Sequence, residues 1–226
     1  MRTLTQGVVA LVLSSALIIS MFPPLELIDY VFWAVSTNLD VAPELFIMVS
    51  AMLLLLAGGL LAFSLHAFLS VGKSRSDLLT HLSSSLDSLN VLLNKSGAPA
   101  LVAAALLIVY WHVPQILDAA LLQFRSHLIM NTSLLLSGVL IFLGGYRLSD
   151  TMRKMVAILG HMAMGIFGVY LLVTSGYNRF YVIYPIDQQA QLGLLMVIMM
   201  FVFDGLFVPY WLYRLFAAPN PRVNAE

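Results

Sequence analysis

Long apolar runs separated by short polar breaks set the pattern of this chain, and six runs approach or exceed bilayer length. They cover residues 4–22, 45–71, 98–115, 127–146, 154–175 and 188–215. A helix needs roughly 20 apolar residues to cross the hydrocarbon, and backbone amides there find no water, so each run predicts a helix. Residues 76–95 (SDLLTHLSSSLDSLNVLLNK) follow another rule. Leucines at 78, 82, 86, 89 and 93 form one helical stripe, with Ser, Thr, His and Asp opposite. This segment lies at the interface or packs a polar face into the bundle. The expected fold is all-α: a polytopic transmembrane helical bundle of six spans plus one amphipathic helix. A single domain fills 1–217, and residues 218–226 (APNPRVNAE) read as a disordered cytoplasmic tail.

Composition agrees with that pattern. The chain is 61% hydrophobic and 10% charged, against about 25% charged in soluble domains. A net charge of zero argues against nucleic-acid binding by a basic surface. There is no cysteine, which excludes disulfides, thiolate metal sites and c-type haem attachment. Residues 4–22 follow Arg2 in the manner of a signal peptide, but PPLELIDY offers no small-residue cleavage site, so a retained first helix is expected, with cleavage as the alternative.

Basic residues orient the spans. With the N-terminus in the cytoplasm, Arg2, Lys73, Arg75, Lys95, Arg147, Arg153, Lys154, Arg214 and Arg222 fall inside, leaving Arg125 and Arg179 outside. The asymmetry obeys the positive-inside rule and predicts a cell-membrane protein with both termini cytoplasmic. The first loop, with Glu26, Asp29, Asp40 and Glu44, is then outside and acidic.

Polar groups at membrane depth are expensive, which makes each a functional candidate. One set gathers in YWHVPQILDAALLQFRSHLIMN, residues 110–131. His112 ends the third span, Pro114 breaks the helix beyond it, and Asp118 falls in the short outer connection. His127 opens the fourth span at a depth expected to match His112. Met130 stands one turn on, and Asp187 opens the sixth span on the same side. Imidazole, carboxylate and thioether together suit copper; boundary His and Trp also serve as plain interfacial anchors. Nearer the cytoplasm lie His66 and His161, with His81 on the amphipathic segment. Asp204, in the last span before Gly205 and Pro209, and Asp118 are expected to be proton-relay or structural hydrogen-bonding residues. The pairs Gly58-Gly59 and Gly144-Gly145, with Gly160, Gly165 and Gly168, predict close helix crossings. No strand precedes a glycine-rich loop, and neither HExxH nor a Ser-His-Asp order occurs, so nothing in the sequence supports a hydrolytic enzyme.

The residues Trp111, His112, Pro114, Asp118, Ala119, Ala120, Leu121 and His127 reproduce a W-H-x-P, D-A-A-L, then histidine pattern. In this the chain resembles the CtaG family, membrane proteins linked to assembly of caa-type cytochrome c oxidases and distantly similar to CopD copper proteins. The likeness is to a short, archaeal-type form. YPIDQQAQLGLLM (184–196) is similar to that family's D-Q-Q-x-x-G-x-x-M element, with Gly193 one residue late. Where the family has a further histidine, this chain has Asn131.

Three functional expectations follow. The first is a non-enzymatic copper-handling or cytochrome oxidase assembly protein, with His112 and His127 as ligands and Asp187 and Met130 as supplements. The second is a haem-b subunit, with His112/His127 and His66/His161 as two axial pairs. The third is an accessory subunit of a membrane respiratory complex without a cofactor. All three place the partners among respiratory or copper-enzyme subunits.

Overall fold

The computed structural model describes residues 2–22, 43–72, 84, 88, 91, 96–182 and 185–217. Among them stand seven helices and no strand: α1 (Arg2–Met21), α2 (Pro43–Gly72), α3 (Ala98–Trp111), α4 (Pro114–Leu122), α5 (Phe124–Arg147), α6 (Asp150–Thr174) and α7 (Ile186–Ala217). Five are long and apolar enough to cross a membrane, and α3 with α4 makes a sixth when the bent pair counts as one span. The chain is a multi-pass helical bundle, as its apolar runs require. Within 76–95, Ser84, Ser88 and Val91 are helical and exposed. The rest of that segment, with His81, lies outside the described residues, as do the acidic first loop and residues 218–226.

The chain divides into two compact units. Unit 1 takes Met1–Arg153 with Tyr181–Tyr184, and unit 2 takes Lys154–Phe180 with Pro185–Glu226. Lipid supplies no hydrophobic drive between helices, so close approach and interhelical hydrogen bonds must hold each unit together.

In unit 1, α1 runs antiparallel to α2. Ser14 Oγ donates to the Ala57 carbonyl at 2.9 Å, and Gly7 sits against Ala67 farther along. Helices α2 and α5 run parallel and cross at Gly58 and Gly138, where a Cβ on either would overlap the backbone of Leu135 or Leu55. Helix α3 runs antiparallel to α5: Trp111 Nε1 donates to Ser133 Oγ at one end, and Leu101 rests on Gly144 at the other. Asn131 Nδ2 reaches the Met21 carbonyl at 3.4 Å, joining the end of α1 to the start of α5. Met21, Leu54, Trp111, Ala120, Met130 and Leu134 form the buried core at this end.

The third apolar run is not one straight span. His112 caps α3, and Val113 is extended (φ −68°, ψ 124°), as a residue before proline is driven to be. Pro114 then opens α4, whose axis turns 72° from that of α3. Asp118 therefore lies inside a helix, not in the loose connection that the sequence led us to expect.

Unit 2 is an antiparallel hairpin of α6 and α7. A Cβ on Gly168 would come within 2.7 Å of the Gly193 carbonyl, and one on Gly193 within 2.6 Å of the Gly168 carbonyl. Gly165 lies beneath Met200. Gly58, Gly144, Gly165 and Gly168 are thus crossing points as expected, whereas Gly145 and Gly160 face open space.

Candidate functional site

The chemistry-bearing residues of unit 1 gather where α3 breaks into α4. Trp111 is buried and tied to Ser133, whose own hydroxyl donates to the Met130 carbonyl at 2.9 Å. His112 Nδ1 lies 2.7 Å from the Ile108 carbonyl. A carbonyl can only accept, so Nδ1 is the donor in this bond.

Asp118 projects from α4 toward the segment that follows unit 2's first helix. Its Oδ2 accepts from the Val182 backbone N–H at 3.2 Å. Its Oδ1 is buried and accepts no hydrogen bond among the described residues. The neighbouring Tyr181 is 2% exposed and donates its phenol to the His112 carbonyl at 3.2 Å. Burial holds this phenol above its ordinary pKa, and the Asp118 carboxylate adds to the effect. Tyr181 and Val182 are thereby clamped onto the α3–α4 break, one through each flank of the bend.

The Trp111–Ser133 bond ties the end of α3 to α5. His127 lies on α5 six residues before Ser133, about 9 Å along that helix at 1.5 Å per residue. The His112 ring folds back toward Ile108. Met130 is 5% exposed within the hydrophobic core, so its thioether packs and does not line a site. Asn131, standing where a histidine belongs in the CtaG pattern, bonds α1. Among the described residues no three His, Cys, Asp or Glu side chains converge as a metal centre.

His66 packs against Tyr146 and Phe142, with ring centroids 4.7 and 6.4 Å away. In unit 2, His161 stacks on Phe203 at 4.8 Å and 15°. Asp187 is exposed in the first turn of α7, where a carboxylate complements the helix dipole. Asp204 is half-buried in the second half of the same helix. From the D-Q-Q element it is Gln189 that is buried, and its Oε1 accepts from the Phe180 backbone N–H at 2.9 Å. Sequence reasoning passed over Tyr181, Val182 and Ser133, and met Gln189 only as part of the D-Q-Q element. The apolar flank of Tyr181 and the glutamine pair at the start of α7 were the only available signals.

A family model described as a protein of unknown function (DUF1404) matches residues 21–217. The chain belongs to that family. No curated protein and no solved structure matches.

Proposed function

We propose that this DUF1404-family protein is a non-enzymatic membrane subunit, an accessory or assembly component of a respiratory or copper-enzyme complex. The observation that carries the reading is the clamp at the α3–α4 break. Trp111, His112 and Asp118 carry the likeness to CtaG, and each makes a hydrogen bond that shapes unit 1. Residues used this way build a fixed surface at one end of the bundle. With the orientation given by the basic residues, that end faces outward, both termini lie in the cytoplasm, and the host is the cell membrane.

The copper reading draws no support of this kind: Met130 belongs to the core, and among the described residues no three His, Cys, Asp or Glu side chains come together. No step of the proposed role passes through the metal. The haem reading lacks support of the same kind, because His66 and His161 each pack against aromatic rings of their own unit.

Mild-detergent purification of the tagged full chain from its native membrane tests the role. Subunits of a membrane oxidase should copurify, with neither stoichiometric copper nor a Soret band in dithionite-reduced protein. A solitary chain carrying one copper that the His112→Ala, His127→Ala double variant loses would overturn the proposal in favour of copper handling. A reduced Soret band would overturn it in favour of haem.

A further inference from the structure

We propose that the guanidinium of Arg147, where α5 ends, binds the phosphodiester of a net-anionic membrane lipid. This site is independent of the clamp at the α3–α4 break and of the role assigned above. Arg147 is the last residue of the apolar stretch Phe124–Arg147, so its side chain stands at the boundary where lipid phosphates lie. The turn that opens α3 crowds the stem of this side chain. Gly97 there has φ 78°, and a Cβ on it would come within 3.3 Å of the Arg147 Cβ.

Two features point to an anion. The Arg147 Nε is buried and has no hydrogen-bond partner among the described residues. No carboxylate pairs with the guanidinium there either. A boundary arginine that merely snorkels keeps its whole head among water and head groups. This one is half-buried, so part of its hydration is lost with nothing in the protein to replace it. A charged donor left in that state is costlier than a neutral one. The end of the α5 dipole supplies only about half a unit of negative charge against it. A phosphate supplies the rest. The terminal amino groups of the planar guanidinium reach two phosphate oxygens at once, and the buried Nε fixes the plane in which they are offered. The boundary selects the source, because acyl chains hold a lipid phosphate at that depth. Charge selects the head group: a zwitterionic head brings its own cation to the phosphate, whereas a net-anionic head leaves that charge to Arg147.

The full-length protein, delipidated in an uncharged detergent, provides the test. The probes are dioleoyl-phosphatidylglycerol, dioleoyl-phosphatidylcholine and inorganic phosphate, and native mass spectrometry counts the bound lipid. Wild-type protein should retain phosphatidylglycerol in preference to phosphatidylcholine. Arg147→Gln should weaken that retention about tenfold, the equivalent of one charge-assisted hydrogen bond. Arg147→Lys keeps the charge without the planar fork and should recover part of the loss. Arg153→Gln removes a basic residue exposed in the first turn of α6 and should leave retention unchanged. Each variant is compared at an unchanged thermal midpoint without lipid, so misfolding is scored separately. Equal retention of the two lipids would overturn the proposal, as would retention indifferent to Arg147→Gln or lowered equally by Arg153→Gln. Displacement of the bound lipid by millimolar inorganic phosphate would also overturn it, in favour of a site for free phosphate.

Discussion

Tyr181 donates its phenol to the backbone carbonyl of His112 across 69 residues of chain, at 3.2 Å. The next residue, Val182, places its amide on Asp118 at the same distance. Two consecutive residues therefore read the two sides of the α3–α4 bend.

Removing the phenol should loosen this arrangement by a measurable amount. Tyr181→Phe leaves the His112 carbonyl without that donor, and the expected loss is about 1 kcal/mol of stability. Equilibrium unfolding in detergent should show it. Equal midpoints for the variant and the parent would contradict the assigned bond.

Alkaline pH should act through the same residue. Tyr181 is protonated in the folded protein with a pKa held above the ordinary phenol value of 10.0, through burial first and the Asp118 carboxylate second. A group whose folded pKa is raised contributes stability that is complete below the unfolded pKa and lost as pH rises above it. Stability should therefore fall beyond pH 10 more steeply in wild type than in Tyr181→Phe. Thermal midpoints across an alkaline series provide the comparison.

At Asp118, two substitutions should part company. Asp118→Asn keeps an acceptor for the Val182 amide and removes a carboxylate that has one buried oxygen unmatched. Its stability should equal or exceed that of the parent. Asp118→Ala leaves the amide unsatisfied and should cost about 1–3 kcal/mol. The ordering of the two midpoints is the diagnostic quantity.

Much of this architecture was legible beforehand. Span limits followed from apolar run length, and Pro114 announced the break because a proline constrains the residue before it. Helix α4 was not legible: PQILDAALL is short, mildly apolar and equally readable as a connection. The clamp was hidden for a different reason. Asp118 meets a backbone amide 64 residues away, and every residue type except proline offers that amide, so Val182 has no distinguishing mark in sequence.

Glycine positions give a sharp contrast. Gly138→Ala would press a methyl into the backbone of Leu55, and overpacking of this kind costs about 1–3 kcal/mol. Gly160 lies mid-helix facing open space, so Gly160→Ala should be neutral or stabilise by roughly 0.5–1 kcal/mol. Parallel unfolding curves for the two variants should move in opposite directions, or the first alone should move.

The bond from Asn131 to the Met21 carbonyl spans 110 residues, and that separation imposes a delay on biosynthesis. At 5–20 residues per second, the ribosome takes roughly 5–20 s after finishing α1 to produce the side chain that ties it down. Through that interval the first helix waits in the bilayer for a fastening that arrives only with α5. A nascent chain arrested before residue 131 should therefore carry α1 without its final tether.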